Sequence, residues 1–294
     1  MRRALLLALL VVPAPAVGQT ADEKAASVKF LASLQQPDGG FVAGPDKASA
    51  AAVPQSSLRA TSAAVRAIKY LGGEVPNKDK AATFVKACYT GDAGAFADRP
   101  KGKPDVNLTA IGIMAAAELI PDFDFGPPVK YLAANAKTFE ERRLAAGGME
   151  AARTIDPVVK DWLAETEKGR NPDGTYGIGD GQARETGSVT AMIYRTGGKL
   201  SDEHRKPVVA ALRAGQRLDG GYGKADAKAS DMETTYRVMR AFHWLKEKPN
   251  DEPKLREFIA RHRNADGGYG TAPGQPSTAG GTYYAAIVGY WLEK

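Results

Sequence analysis

One recurring unit constrains this chain more than any other feature. Leu218-Asp219-Gly220-Gly221-Tyr222-Gly223 lies between an amphipathic stretch and an apolar one. It returns as Asp266-Gly267-Gly268-Tyr269-Gly270 and, with one change, as Asp173-Gly174-Thr175-Tyr176-Gly177. The three aspartates lie 46 and 47 residues apart. A step of that size marks stacked repeats, in which each unit buries its apolar face only against its neighbours. The glycines supply turn conformations that a side chain resists, and the aromatic supplies a ring to bury.

Read in order, the chain holds six such units. The first has a helix from Asp22 to Leu34 with Thr20-x-x-Glu23 as a capping box. The turn Asp38-Gly39-Gly40-Phe41 follows, then a helix from Arg59 to Leu71, stopped by Gly72-Gly73. The second turns at Gly91 to Phe96 and closes with a helix from Asp105 to Leu119. The third, Pro127 to Ala152, lacks the turn but carries a second capping box at Thr138-Phe139-Glu140-Glu141. The fourth opens at Asp156-Pro157, an N-cap followed by a proline, and ends in a helix from Glu185 to Arg195. The fifth starts near Ser201 and leads into a helix from Met232 to Leu245. The sixth starts at Asp251 and ends with Thr282 to Leu292.

The second helix of most units is apolar nearly all round, as in Ala285-Ala286-Ile287-Val288-Gly289-Tyr290-Trp291, whereas the first carries one charged face. Helices of the first kind are buried on all sides and those of the second kind cover them. The prediction is therefore an all-α fold, an α/α toroid of six helix pairs forming a single domain over residues 19–294. Its inner helices frame one central cavity.

The N-terminus reads differently. Met1-Arg2-Arg3, the apolar run Ala4 to Val12 and the small residues through Gly18 have the pattern of a signal peptide over residues 1–18. That predicts export to the periplasm or exterior. The apolar run is too short to span a bilayer, and no other stretch approaches a span. Cys88 is the single cysteine and sits in a helical apolar pattern, so it reads as a packed core residue that can form no internal disulfide. A net charge of +6 is mild and calls for no nucleic-acid partner.

Helix–DGGYG–helix units such as Gln35 to Phe41 and Arg263 to Gly270 resemble the prenyltransferase and squalene-oxidase repeat of terpenoid cyclases and protein prenyltransferase β subunits. The resemblance covers the whole chain after the signal peptide. It implies a hydrophobic, isoprenoid-like ligand in the central barrel, with prenyl-transfer or cyclase chemistry. Lys228 and Asp231 match the spacing of a family lysine that touches diphosphate and a family aspartate that binds zinc. The family's cysteine ligand falls on Glu233, and its histidine ligand falls in Ala279 to Tyr283, where there is none. The zinc set implied here is thus Asp231 with its partners missing. Asp231-Met232-Glu233-Thr234-Thr235 also resembles the acidic cluster of class II cyclases, which makes Asp231 and Glu233 the catalytic candidates. An acid in an apolar cavity would have its pKa raised and could donate a proton. An α-subunit partner is not expected of an exported chain.

If a diphosphate binds, Lys228 should meet it, assisted by Lys224, Arg237 or Arg240. Tyr236, Tyr283 and Tyr284 are the candidate cavity-lining residues, with core packing as the alternative. Ser230-x-x-Glu233 also reads as a capping box, which gives both acids a structural role, and Lys224 and Lys228 also read as a solvated loop. Two further functional readings stay open: a non-catalytic binding module on the same toroid, and an exported α/α barrel acting on polysaccharide. The latter would pair Asp231 with Glu185 or Asp105.

Overall fold

In the computed structural model, which describes residues 18–45 and 55–294, twelve helices occupy the described residues. The signal-peptide reading falls on residues 1–18 and lies almost wholly outside them. Six helices form an inner ring: α2 (Leu58–Tyr70), α4 (Val106–Leu119), α6 (Phe139–Ala151), α8 (Gln182–Arg195), α10 (Met232–Leu245) and α12 (Ala279–Leu292). Each packs on the next, and α12 packs back on α2, so the ring is closed. The other six lie outside: α1 (Ala21–Ser33), α3 (Lys78–Ala87), α5 (Gly126–Asn135), α7 (Val159–Glu167), α9 (Asp202–Ala214) and α11 (Glu252–Ala260). A two-residue hairpin, β1 (Tyr89–Thr90) with β2 (Ala95–Phe96), replaces the glycine turn of the second unit.

Small residues let the inner helices approach closely. A side chain at Gly148 on α6 would meet the Ala110 Cα of α4 at 3.1 Å, and one at Gly187 on α8 would meet the Val238 Cα of α10 at 3.2 Å. At Gly112 a Cβ would fall inside the Phe96 ring, so that aromatic seats directly on the α4 backbone.

The repeated turn is an assembly device. Gly39, Gly174, Gly220 and Gly267 all have φ between +85° and +88°, a conformation that costs glycine nothing. A Cβ at Gly39 would lie 2.2 Å from the Lys80 carbonyl oxygen of α3, and one at Gly220 would lie 2.1 Å from that of Lys254 on α11. These two turns thus rest on the backbone of the next outer helix, while Gly174 rests on the His204 side chain of α9. Gly267 rests on Ala26 of α1 and closes the circle. Within the turn the aspartate accepts two hydrogen bonds. Asp219 Oδ1 takes them from Gly221 N and Ser230 Oγ, Asp38 from Gly40 and Ser56, and Asp266 from Gly268 and Ser277. The next residue, the aromatic, donates its N–H to a threonine hydroxyl in the first turns of the inner helix. The pairs are Phe41 with Thr61, Phe96 with Thr109, Tyr176 with Thr186, Tyr222 with Thr235 and Tyr269 with Thr282. Buried backbone donors are thereby satisfied. Every inner helix holding such a threonine points its N-terminus toward the rim that carries the turns.

Two expectations about helix starts are corrected. α7 begins at Val159, because Asp156 caps an isolated turn by accepting from Val158 N rather than starting the helix itself. Ser230 does not cap α10, because its hydroxyl is taken by Asp219. The cap is Asp231. The boxes at Thr20 and Thr138 are formed as expected. Cys88 is buried, and burial first, then Asp98 and Asp38, push its thiol up to about 12, which leaves it inert at neutral pH.

Candidate functional site

The inner ring encloses a cavity of ≈ 300 Å³ to which all six inner helices contribute side chains. One wall is apolar, built from Ala63 on α2, Ile111 and Met114 on α4, and Leu144 on α6. The opposite wall is aromatic: Tyr236 on α10 with Tyr283 and Tyr284 on α12. The Tyr236 ring lies within 5.0 to 5.8 Å of the Tyr284, Tyr283 and Trp291 rings, stacked on the last of these at 17°. Such offset stacks hold a ring rigid.

Charge enters this core through five arginines. Arg237 on α10 pairs with Glu233 at 2.6 Å and Glu140 at 2.8 Å, and Arg143 on α6 also pairs with Glu140, at 2.9 Å. Arg195, the last residue of α8, places its Nε 2.9 Å from a Glu150 carboxylate oxygen, out of line for a hydrogen bond, so that contact is ionic. Arg66 and Arg240 meet no carboxylate among the described residues. Arg66 donates to the Tyr283 hydroxyl at 2.5 Å, and its guanidinium lies 4.5 Å from the centre of that ring. Arg240 donates to the Tyr236 hydroxyl at 2.6 Å and lies 4.8 Å from the centres of the Tyr236 and Trp291 rings. Arg240 is 8% exposed, and its Nε is buried with no partner. Five guanidiniums thus face three carboxylates, and the excess sits beside tyrosines.

This balance sets the protonation of the site. Burial raises the Glu140 carboxyl, but hydrogen bonds from Arg237 and Arg143 overcome it and hold the group at about 2. Burial likewise works to raise Glu233, yet Arg237, with Lys224 and Arg184 further off, pulls it below its ordinary range. An acid held protonated by an apolar cavity is therefore not what Glu233 becomes, because its neighbour on the next helical turn is a guanidinium. Asp231 is engaged as a cap: Oδ1 accepts from Thr234 N at 2.8 Å and Oδ2 from Thr234 Oγ1 at 2.8 Å. Ser57, Asp105 and Thr278 do the same for α2, α4 and α12.

A zinc ion fits poorly here. Both Asp231 oxygens are used, Glu233 is paired with Arg237, and no three His, Cys, Asp or Glu side chains converge among the described residues. The polysaccharide set is not assembled either. Asp105 and Asp231 cap different helices, while Glu185 lies in a separate pocket between α6, α7 and α8. Lys224 and Lys228 are exposed, on a loop pinned by Arg217, which donates to the Ala227 and Lys224 carbonyls at 2.7 and 2.8 Å.

Arg66, Arg143 and Arg195 were not legible as site residues from the sequence read helix by helix. The repeat register holds a signal for one of them. Tyr236 and Tyr283 each follow the anchoring threonine directly, and Arg66 and Arg240 each come five residues after it.

A sequence profile described as the Prenyltransferase alpha-alpha toroid domain matches residues 5–152 and again 144–292. No curated protein sequence matches the chain significantly. Among solved structures, a variant of the type II terpene cyclase MstE from Scytonema, in complex with geranylgeranyl dihydroxybenzoate, superposes with a TM-score of 0.64. It is 10% identical, over 93% of this chain and 96% of that one. A protein from Actinoplanes reaches 0.60 at 15% identity, covering 93% and 98%. A glycosidase variant reaches 0.57 at 14% identity, covering 92% and 95%. Likenesses at such identities speak for the fold alone. No helix among the described residues is long and apolar enough to cross a membrane.

Proposed function

Because the chain belongs to the prenyltransferase α/α-toroid family, we propose that its central cavity binds a short prenyl-type chain carrying an anionic head group. The arginines take the head, and the apolar and tyrosine walls take the tail. The observation that carries this reading is the pair Arg66 and Arg240, which face phenol oxygens instead of carboxylates: half-buried Arg66 lines the cavity with Ile111, Met114 and Leu144, and buried Arg240 lies against the Tyr236 ring that forms the cavity wall. Buried charges require partners, and an anion supplies one. The cyclase relative is bound to geranylgeranyl dihydroxybenzoate, a prenyl chain with an acid head. A cavity at the small end of the ~300–1,000 Å³ range of ligand sites favours a shorter tail.

Binding is the core of the reading, and proton-initiated cyclisation through Asp231 or Glu233 is not part of it. One acid is engaged as a cap and the other is held ionised. Of the diphosphate candidates, Arg237 and Arg240 belong to the head-group set, while Lys224 and Lys228 stand at the rim. Export, read from residues 1–18, belongs to the same proposal. It is tested by N-terminal sequencing of the protein recovered outside the cytoplasm, which should lack Met1 to Gly18.

Calorimetric titration with geranyl diphosphate, geranic acid and geraniol tests the ligand class. A charge-assisted hydrogen bond contributes about 1.5–3 kcal/mol, so both acids should bind roughly ten- to a hundredfold more tightly than the alcohol. Arg240→Met, which keeps the length of the side chain and removes a buried charge, should erase that difference without unfolding the chain. Equal affinity of the wild-type protein for acids and alcohol would remove the basis of the proposal.

A further inference from the structure

The tyrosine that faces the arginines has a second role. Tyr236 lies at the centre of the cationic excess. Arg240 of its own helix donates to its oxygen, Tyr283 Oη lies 3.4 Å away and itself accepts from Arg66 of α2, and Arg195 of α8 lines the same cavity. The negative groups around it are already committed. Glu233 and Glu140 serve Arg237 and Arg143, and Glu150 on α6 serves Arg195. Tyr284, the other phenol against its ring, is raised by burial and by Glu233, and Tyr283 is held well above its ordinary range by burial. His243 stacks on Trp291, and burial and then Arg240 lower its pKa, so it adds no positive charge at neutral pH.

We infer that Tyr236 is a phenolate in the ligand-free protein, the built-in counter-ion of the Arg66–Arg195–Arg240 cluster, and that it takes up one proton when an anion occupies that cluster. The inference rests on the ligand reading above only in its second half. The charge inventory carries it: three guanidiniums share one carboxylate, and the nearest remaining groups able to become an anion are two phenol oxygens 3.4 Å apart, Tyr236 under Arg240 and Tyr283 under Arg66, so the pair holds one negative charge and Tyr236, drawn down where Tyr283 is raised, carries it. The proton gradient of the site agrees. Burial works to raise the Tyr236 phenol, but Arg240, Arg195 and Arg66 together draw it down to about 6. The step balances. The phenolate oxygen gains a proton from solvent, an O–H bond forms, and the entering anion replaces the lost negative charge against Arg240. For a singly charged head group the cavity's net charge is unchanged, and Arg240 faces an anion in both states, the phenolate before binding and the ligand after it.

Two measurements test this. The first needs no ligand. Ionised tyrosine has its own near-ultraviolet band, and an ordinary phenol titrates near pH 10. Between pH 5 and 8 the folded wild-type protein should gain the absorbance of one tyrosinate out of its eleven tyrosines. Tyr236→Phe should lose that gain, Arg240→Met should move it toward the ordinary range, and Tyr284→Phe, in the same stack, should keep it. A flat wild-type trace up to pH 8, or a gain that survives in Tyr236→Phe, overturns the inference. The second measurement titrates geranic acid, whose carboxyl is ionised throughout, at pH 8 in two buffers of different ionisation enthalpy. Wild type should take up close to one proton per ligand bound and Tyr236→Phe none. Uptake near zero in the wild type overturns the coupling. If no probe binds while the tyrosinate band is present, the ligand reading fails and the phenolate stands.

Discussion

Replacing Gly220 with alanine isolates the contact that joins one repeat to the next. Gly220 has φ of +88°, and Gly197, at the end of the preceding repeat, has φ of +84°. Both substitutions carry the cost of a left-handed side chain, about 1–2 kcal/mol, partly offset by the smaller entropy of the unfolded chain, about 0.4–1 kcal/mol. Their surroundings differ. A Cβ at Gly197 meets nothing within 4 Å, whereas one at Gly220 would sit 2.1 Å from the Lys254 carbonyl oxygen and 2.4 Å from its carbon. That overlap is with backbone in the first turn of α11 and cannot be relieved by a rotamer, so it adds the overpacking cost of about 1–3 kcal/mol. Gly197→Ala should therefore lose about 1 kcal/mol and Gly220→Ala about 2–4 kcal/mol. Urea denaturation read by circular dichroism gives both values, and a thermal scan should separate the variants by several degrees, at about 2–4 °C per kcal/mol. Gly267→Ala, at the ring closure against Ala26, should resemble Gly220→Ala. Equal losses for Gly197→Ala and Gly220→Ala would refute the claim that the turns seat one repeat on the next.

Two further outcomes follow from the same structure. Asp231→Ala should cost about 1 kcal/mol as a lost cap and leave geranic acid affinity unchanged, and calorimetry showing a large loss of affinity would return Asp231 to the binding site. Glu140 has a carboxyl depressed to about 2 in the folded protein by Arg237 and Arg143, so its stabilising contribution is present above the ordinary carboxylate pKa and disappears as pH falls from about 5 toward 2. The acid limb of a stability–pH curve should be shallower in Glu140→Gln, and an unchanged limb would contradict the pairing.

The fold was legible because the repeat repeats its physics. Met232 to Leu245 carries apolar residues at helical spacing and follows an acid and a turn, so its limits could be read directly, and α10 has those limits. The third repeat was found without its turn because Thr138 and Glu141 carry their own start signal, and both hydrogen bonds of that box are made. Local rules failed where a residue serves a distant partner. Ser230 looks like a cap, but Asp219, eleven residues earlier in the chain, takes its hydroxyl. Arg66, Arg143 and Arg195 look like ordinary helix-surface cations, and only ring closure turns their side chains inward. The same closure sets Glu140 of α6 against Arg237 of α10, nearly a hundred residues apart, and so decides that the acids of this site are ionised.

The most direct test of the central claim is a crystal structure of the protein soaked with geranyl diphosphate. The diphosphate should lie within hydrogen-bond distance of Arg240 and Arg66, in place of the contacts now made by the Tyr236 and Tyr283 hydroxyls, with the prenyl tail against Ile111, Met114 and Leu144. A head group held instead by Lys224 and Lys228 on the rim, with the tail outside the ring of inner helices, would contradict it.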